Sequence, residues 1–484
     1  MRALPVPARG LLAPLVPFLV KFVPFLLAPD FLLAFPREIL LYFLIMKNTL
    51  NSGISRRRFL AATGVAAAFP TIIPASALGR GGQPAPSERI TIGSVGWGSM
   101  GPGNTDSFMS NKDCQVVAIC DLDKNRLQGA LDHINAHYGN KDCKPYHDYR
   151  EVFARSDIDA VMLAVPDHWH ALLATAAANA KKDIYGEKPL ARTIAEQQAI
   201  VHAVQKNKRI WQTGSWQRSQ GGQFRKAAEI VRSGLIGKIK RVEVGLPAGH
   251  GDPKVLQEHG SPSEPPPELD YDFWIGPSTL VPYVEARVHY NWRWNYNTGG
   301  GQLLDWIGHH CDIAHWGMDM DNGGPSEVEA HGERPPEDAV WNTYTKYRAT
   351  LKYPNDIEMT IAGGHGDIRS GAKWIGTDGW VWVDRGKYDA SNVDWFAMPE
   401  DQLKVKLYHS EEHRRNFLDC VKSRKPTITP AETAHHSAIP GHLTLISMLV
   451  GRKIKWDAAS EKILDDAEAT KLLSRLYRAP WKLA

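Results

Sequence analysis

Cysteine is scarce in this chain, which limits the ways in which the fold can be held together. Only five cysteines occur among 484 residues, and none of them forms a C-x-x-C pair. A sparse and odd set argues against a disulfide framework and against a structural zinc site. The sequence therefore predicts no metal and a fold stabilised by its apolar core. The five are Cys114, Cys120, Cys143, Cys311 and Cys420.

Long apolar runs and a strong charge of either sign are also missing. Prolines interrupt residues 1–45, so no run reaches the ~20 apolar residues of a membrane span. The net charge of +4 is dispersed, and no basic patch is interleaved with aromatic residues, which argues against a nucleic-acid partner. With 43% hydrophobic residues, the chain has ordinary globular composition and enough length for two domains.

The first 87 residues differ from the rest. Residues 55–60 read S-R-R-R-F-L, a twin-arginine motif, and an apolar run and an A-S-A cleavage pattern at 75–77 follow. We expect translation to start at Met46, so that residues 1–45 are an upstream extension from a misplaced start; the alternative is that they form an anchor. Residues 46–87 are then a signal and linker, and the protein is periplasmic or otherwise exported by the twin-arginine machinery.

Residues 88–121 carry the pattern of a dinucleotide site. An apolar run at 90–95 leads into Gly96-Trp97-Gly98-Ser99-Met100-Gly101, which fits G-x-G-x-x-G. The glycines permit a tight turn, close approach of backbone amides to a pyrophosphate, and close packing of the next helix, whose N-terminus favours phosphate. A glycine-rich loop without a ligand is the alternative interpretation. Because of Pro102 and Gly103, we expect the helix to begin a residue or two late.

The next apolar run ends in Asp121, where an acid accepts hydrogen bonds from a ribose diol. Asp123 follows closely, and no arginine or serine stands beside Asp121 in the sequence. Two carboxylates would repel a 2′-phosphate. The sequence therefore favours NAD over NADP.

Strands and helices alternate after this motif. Apolar runs at 158–166, 183–190 and 209–214 are separated by helical stretches at 171–180 and 194–207. This alternation predicts a doubly wound parallel sheet over residues 88–215. The remainder, 216–484, has strand-like runs at 236–244, 343–353, 357–363 and 373–384, a loop at 249–282, and helical stretches at 411–423 and 434–450.

Four motifs together resemble the Gfo/Idh/MocA oxidoreductases, named for glucose–fructose oxidoreductase and inositol dehydrogenase. They are the glycine motif, V-P-D-H-W-H at 165–170, E-K-P at 187–189, and G-G-G-Q-L-L-D-W-I-G-H-H-C-D at 299–312. The resemblance implies an α/β Rossmann domain followed by an α+β domain with an open, mostly antiparallel sheet. One face of that sheet would meet the substrate cleft, and the other would often meet another subunit, giving a homo-oligomer.

The resemblance also implies roles for particular residues. Lys188 would bridge cofactor and substrate, and His309 would accept the proton of the substrate hydroxyl. Asp305, four residues earlier on the same helix face, would orient the substrate or the imidazole. Metal binding by His309, His310 and His315 is an alternative that the absence of a carboxylate-rich partner disfavours. The remaining cofactor contacts would be Pro166, His170 and Glu187; a helix N-terminus capped by Asp167 is compatible with this.

Aromatic residues suggest the substrate. Tyr290 and Trp292 lie just before the triple glycine, and aromatic faces stack on sugar C–H faces, although many such rings belong to cores or interfaces. Arg218, just after the last parallel strand, is expected to meet the substrate.

Three hypotheses follow for the function. The first is an exported oxidoreductase with tightly bound NAD that acts on a sugar, cyclitol or sugar derivative. The second is a redox-neutral glycosidase in which NAD oxidises and finally reduces the same sugar, before and after elimination and water addition. The third is a binding or structural protein without catalysis, which the intact glycine, lysine and D-x-x-x-H motifs disfavour.

Overall fold

The computed structural model describes residues 84–250 and 253–483. The extension predicted for residues 1–45 and the twin-arginine motif and cleavage pattern lie outside the described residues. Within the described part of the chain, no helix combines the length and apolarity needed to cross a bilayer. All five cysteines are buried and unpaired.

Six parallel strands form the first sheet, with spatial order β3-β2-β1-β4-β5-β6. This confirms the doubly wound parallel sheet, because the order reverses between β1 and β4. β4 is buried at every position, as a strand covered on both faces must be. The strands are β1 (Ile90–Val95), β2 (Cys114–Cys120), β3 (Lys144–Tyr146), β4 (Ala160–Leu163), β5 (Asp183–Gly186) and β6 (Trp211–Thr213).

Helices connect these strands. The first begins at Gly101 and carries Pro102 in its first turn, so the expected late start is wrong. Proline fits there because the first-turn N–H groups have no intrahelical partner. The helices are α1 (Gly101–Met109), α2 (Lys124–Tyr138), α3 (Tyr149–Ala154), α4 (Asp167–Asn179) and α5 (Ile194–Asn207).

The second sheet has nine strands in the order β13-β12-β11-β7-β10-β9-β8-β14-β15. Only β7 and β10 pair in parallel, so the prediction of a mostly antiparallel sheet is confirmed. The run at 373–384 is a hairpin and not one strand. The strands are β7 (Ile239–Leu246), β8 (Glu327–Glu333), β9 (Lys346–Tyr353), β10 (Ile357–Gly363), β11 (Gly371–Gly376), β12 (Trp380–Asp384), β13 (Lys387–Ala390), β14 (Ile454–Asp457) and β15 (Lys462–Leu464).

One helix of the second half is almost wholly buried and packs on this sheet. It runs from Gly301 to Met318, contains the D-x-x-x-H motif, and is called α9 below. The predicted loop at 249–282 contains two short helices. The helices are α6 (Gln223–Arg232), α7 (Pro253–His259), α8 (Tyr271–Ile275), α9 (Gly301–Met318), α10 (His413–Ser423), α11 (Ala431–Val450) and α12 (Ala467–Lys471).

The C-terminal helices return to the first sheet. Phe417 and Leu418 of α10 are fully buried in the same core cluster as Ile92 and Phe108. α11 packs along α9 and also approaches α5. The end of α9 that carries the motif is thereby held against the loops at the carboxyl ends of the parallel strands.

Candidate active site

The glycine loop has the geometry that its sequence pattern requires. Gly96 has φ +93°, and a Cβ there would lie 2.3 Å from the carbonyl oxygen of Ala164. A Cβ on Gly101 would lie 2.1 Å from the carbonyl oxygen of Gly96, so α1 can start only if this residue has no side chain. A Cβ on Gly98 would meet only Arg126 Nη1, at 3.9 Å. The loop is thus tight at its ends and open at its middle, where a phosphate would approach.

Asp121 closes the loop from the end of β2. Its Oδ2 accepts a hydrogen bond from the Trp97 N–H at 2.7 Å, and its Oδ1 accepts one from the Asp123 N–H at 2.9 Å. Burial raises the pKa of Asp121 above its ordinary value, although these two N–H groups oppose the shift. The indole of Trp97 packs towards His133 and not towards the cavity described next.

An arginine that the sequence did not reveal lies beside these acids. Arg126, one turn into α2, has its Nε 3.8 Å from Asp123 Oδ2 and donates a hydrogen bond from Nη1 to the Trp97 carbonyl oxygen. No arginine neighbours Asp121 in the sequence, but the fold brings Arg126 close enough for its charge to act on this acid. The helix brings Arg126 back to the loop because positions three or four residues apart share a helix face.

A cavity of about 380 Å³ opens from the loop. It runs between the carboxyl ends of the parallel strands and a wall formed by residues 269–293. That wall confirms that part of the predicted loop covers a cleft. Predicted residues that line the cavity are Gly96, Gly98, Ser99, Met100, Asp121, Pro166, Glu187, Lys188, Tyr290 and Trp292.

Lys188 joins this cavity to α9. Its Nζ donates hydrogen bonds to Asp305 Oδ1 at 2.8 Å and to the Asp305 carbonyl oxygen at 3.1 Å. Arg293, also on the cavity wall, places its Nε 3.2 Å from the same Oδ1 and its guanidinium over Tyr290 and Trp292. Burial alone would raise the pKa of Asp305, but Lys188 and Arg293 hold that pKa below its ordinary value. Asp305 is therefore an ionised anchor for two cations.

His309 lies one turn further along α9 and is 4% exposed. Its Nδ1 is buried without a hydrogen-bond partner. Burial, with the charges of Lys188 and Arg385, holds the pKa of His309 well below its ordinary value, so the ring is neutral near pH 7. Gly308 lets the helix approach closely, since a Cβ there would lie 3.3 Å from Lys188 Cβ.

His170 and Glu187 support the loop of Lys188. The two ring nitrogens of His170 lie 2.7 Å from the Pro189 carbonyl oxygen and 2.8 Å from that of Val165. His170 thus lies beneath the loop, and its contact with a cofactor stays a prediction. Glu187 does line the cavity, and its Oε1 accepts a hydrogen bond from Asn104 Nδ2 at 2.8 Å.

Asp167 is a second acid near Asp305 that sequence reasoning treated only as a helix cap. The cap position of α4 is Pro166, and Asp167 is the first helical residue. Asp167 is 1% exposed, and its Oδ1 has no hydrogen-bond partner. Burial, followed by the charge of Asp305, raises the pKa of Asp167 to about 7.

Arg218 does not face the cavity, which corrects its predicted role. Its Nε and Nη2 donate hydrogen bonds to the two carboxylate oxygens of Asp312, each at 2.8 Å. Nη1 and Nη2 also donate to Asp321, and the guanidinium covers Trp316. With its side chain 2% exposed and its donors used by two acids, Arg218 fastens the turn after β6 to α9.

The neighbouring histidines of α9 face other parts of the protein. His310 Nδ1 lies 2.7 Å from the Gly245 carbonyl oxygen, and His315 Nε2 lies 2.7 Å from the Tyr353 hydroxyl. The three imidazoles therefore do not converge. Within the described residues, no group of three or more metal-binding side chains comes together.

These features fit a nicotinamide dinucleotide. The open middle of the glycine loop and the start of α1 suit a pyrophosphate. Asp121 and Arg126 lie where a ribose of the dinucleotide would bind. The cavity leads from there to Lys188, beside a buried neutral imidazole. The fold and the site define a dinucleotide-dependent oxidoreductase with a second domain that completes its active site.

Comparison with known proteins identifies the family. Residues 90–215 match a family model described as the oxidoreductase family, NAD-binding Rossmann fold, and residues 221–483 match the C-terminal alpha/beta domain of the same oxidoreductases. The chain belongs to the Gfo/Idh/MocA oxidoreductase family.

Individual relatives are more distant. The chain is 35% identical over 151 residues to inositol 2-dehydrogenase of Salmonella typhimurium, covering 31% of this chain and 43% of that protein. It is 28% identical over 208 residues to glycosyl hydrolase family 109 protein 2 of a Shewanella species, covering 39% of this chain and 45% of that protein. The aligned region thus spans less than half the length of either relative.

Among solved structures, the WlbA dehydrogenase from Bordetella pertussis, in complex with NADH and UDP-GlcNAcA, superposes with a TM-score of 0.57. Its sequence is 18% identical, and the match covers 76% of this chain and 99% of that one. At this identity the likeness shows a shared fold.

Proposed function

We propose that this protein oxidises or reduces a CH–OH group of a sugar, cyclitol or sugar derivative with a tightly bound NAD. The observation that carries the proposal is the Lys188 amine, which lines the dinucleotide cavity and donates a 2.8 Å hydrogen bond to Asp305 of α9. One turn along that helix is an unpaired neutral imidazole. The similarity to inositol 2-dehydrogenase supports a polyhydroxylated substrate.

In this proposal each side chain has a task. When bound, the nicotinamide supplies the acceptor for a hydride from the substrate carbon. His309, neutral and with a free buried nitrogen, takes the proton of the substrate hydroxyl. Lys188 donates a hydrogen bond to the oxygen as its negative charge grows, and Asp305 with Arg293 fixes the direction of that amine. In the opposite direction, the protonated imidazole returns the proton.

Two measurements test this proposal. Denaturation of the native protein, followed by mass spectrometry of the released small molecules, should yield NAD. A panel of sugars and cyclitols should then change the absorbance of the nicotinamide in the holoprotein. Absence of any nucleotide, before and after incubation with NAD or NADP, would contradict the proposal, as would a bound nucleotide that no polyol oxidises or reduces.

A redox-neutral glycosidase is the second candidate, and the 28% identity to a glycosyl hydrolase family 109 protein favours it. Its net reaction is hydrolysis, so the sugar leaves at the oxidation level at which it entered. Chromogenic glycosides incubated with the holoprotein, without added NAD, separate the two. Aglycone release without accumulated NADH indicates the glycosidase, and NADH without aglycone release indicates the dehydrogenase.

A further inference from the structure

Arg385 lies beside the candidate catalytic histidine. It is the first residue of the two-residue turn between β12 and β13, whose flanking residues Asp384 and Lys387 pair. Its guanidinium carbon is 4.5 Å from the ring centre of Trp216 and 4.6 Å from that of Trp306. The same two rings flank His309, with centroid distances of 6.3 and 5.5 Å. Arg385 and His309 therefore share both aromatic neighbours, and Arg385 is near enough for its charge to act on the imidazole.

The donors of Arg385 are not used by the protein. Among the described residues, no acceptor forms a hydrogen bond or ion pair with its guanidinium, and its Nε is buried without a partner. The carboxylate of the adjacent Asp384 accepts hydrogen bonds from Ser370 Oγ at 3.0 Å and from the Arg385 backbone N–H at 2.7 Å, and it lies 3.4 Å from His310 Nε2. A half-buried guanidinium without an acceptor is costly and offers a planar fork of donors to a ligand.

The charges of Asp305 and Asp384 act on Arg385, but neither carboxylate accepts a hydrogen bond from its guanidinium. Lys188, Arg293 and Arg385 bring three cations towards the region of His309, and Asp305 is already shared by the first two. Asp167, with its pKa raised to about 7, is only partly ionised at neutral pH. An anionic ligand would restore the charge balance.

We propose that Arg385 binds a negatively charged substituent of the substrate, a carboxylate or a phosphate, so that the substrate is an acidic sugar or cyclitol derivative. This inference rests on the proposed function. Guanidinium pairs with either group through two parallel hydrogen bonds. The rings of Trp216 and Trp306 both contact the guanidinium and position it.

The turn that carries Trp216 is itself anchored. Trp216–Arg218 is a short helical turn, and Arg218 locks it to α9 through Asp312. Trp306 belongs to the same helix, and a two-residue turn limits the freedom of Arg385. The cation is therefore held in a fixed place before any ligand binds, which favours specificity.

Matched pairs of sugars test the inference in the holoprotein. The probes are glucose, glucuronate and glucose 6-phosphate, with the corresponding galactose and N-acetylglucosamine sets. Calorimetry measures binding, and nicotinamide absorbance measures turnover. We expect one acidic class to bind at least about 10-fold more tightly than its neutral partner. Comparison of the uronates with the sugar phosphates shows whether the site recognises a carboxylate or a phosphate.

Arg385→Met should raise the KM or Kd for the acidic probe by about 10- to 100-fold and leave values for neutral probes within about threefold, while Arg385→Lys should restore part of the loss. Arg369→Met is the matched control, because Arg369 also lies over a tryptophan of this sheet but already pairs with Asp389. It should behave as wild type.

Each outcome bears on one proposal. Equal binding of neutral and acidic probes, or an Arg385→Met variant that keeps the preference for acids, overturns the anion inference and leaves the oxidoreductase proposal standing. Preferential binding of an acidic probe that is lost in Arg385→Met, without turnover of any probe, supports the anion site and counts against the proposed function.

Discussion

At the scale of single residues, the site is a set of cations arranged around one carboxylate. Asp305 holds both Lys188 and Arg293 through the same oxygen, and all three side chains are nearly buried. Buried cations keep their charge only when an acid faces them. The arrangement fixes the direction of the Lys188 amine, which keeps it able to donate a hydrogen bond to a substrate oxygen.

Lys188→Met should lower kcat by about 10²- to 10⁴-fold, since it removes a positioned hydrogen-bond donor to the substrate oxygen and little packing. Asp305 keeps Arg293 as a partner, so the fold and the bound nucleotide should survive. Steady-state kinetics measures the loss in kcat, and the amount of nucleotide per folded protein measures whether the cofactor is retained. Lys182→Met is the control, because Lys182 is an equally buried lysine whose amine bonds the carbonyl oxygens of Arg155 and Ile158. Lys182→Met should lose thermal stability and keep its turnover. If Lys188→Met shows that same result, Lys188 is structural.

We propose that Asp121 and Arg126, which both line the cavity, set the choice between NAD and NADP. Asp121→Ala should weaken both nucleotides, because it also releases the Trp97 and Asp123 N–H groups, but NAD by about 10-fold more than NADP. Arg126→Ala should weaken NADP more than NAD. Calorimetric titration of both nucleotides on each variant gives the ratio. An unchanged NAD-to-NADP ratio in Asp121→Ala would refute the ribose assignment.

At the scale of elements, α4 begins with a buried acid whose ionisation is unfavourable. Asp167 is buried there, and its folded pKa of about 7 lies above the value of 3.8 for a free aspartate. A folded state that binds the proton more tightly is stabilised at low pH, and it loses that stability as the pH rises from about 4 to 7.

Asp167→Asn should therefore gain stability over wild type as the pH rises. Between pH 5 and pH 8 the difference should grow by about 2.7 kcal/mol, at ~1.4 kcal/mol per unit of pKa shift. Thermal melts of both proteins at the two values measure it. Asp132→Asn, an exposed change on α2, should follow the wild-type profile. If the stability of Asp167→Asn stays parallel to wild type across this range, then Asp167 is ionised in the folded protein, paired with the nearby cations.

Contiguous motifs are what the sequence predicted best. The glycine loop, the E-K-P segment and the D-x-x-x-H helix could be placed because each motif fixes its own geometry within a few residues. Arg126, Arg293 and Arg385 were missed because folding alone brings them to the site. Arg218 was misassigned because an arginine after a strand looks the same whether it faces a ligand or acids: its partners Asp312 and Asp321 lie 94 and 103 residues away.

At the scale of the whole molecule, the second sheet has one face on α9 and another that carries charged pairs. Lys346 of β9 lies 3.3 Å from Glu333 of β8, and Lys453, just before β14, lies 3.2 Å from Glu329 of β8. We propose that copies of the chain associate through this outer face. Because its side chains are charged, high salt should weaken the assembly. Sedimentation velocity of the holoprotein at low and high salt measures this, and a monomer under both conditions would contradict it.

We also propose that the protein is exported by the twin-arginine route with its cofactor already bound. The twin-arginine route carries proteins that are already folded, often around a cofactor. A compartment without free nicotinamide nucleotide would then require NAD to be held through each turnover.

The double change Arg56→Lys with Arg57→Lys should keep the unprocessed protein in the cytoplasm, because the export machinery reads the paired arginines as an address. Cell fractionation and N-terminal sequencing measure location and cleavage, which we expect after Ala77. Arg58→Lys alters the residue after the pair and should leave export intact. The exported wild-type protein should contain NAD on denaturation, since the nucleotide would have to be bound before translocation. Equal export of the double variant would contradict the assignment of the paired arginines as the export signal. An exported protein without nucleotide would contradict the proposal that NAD is bound before translocation.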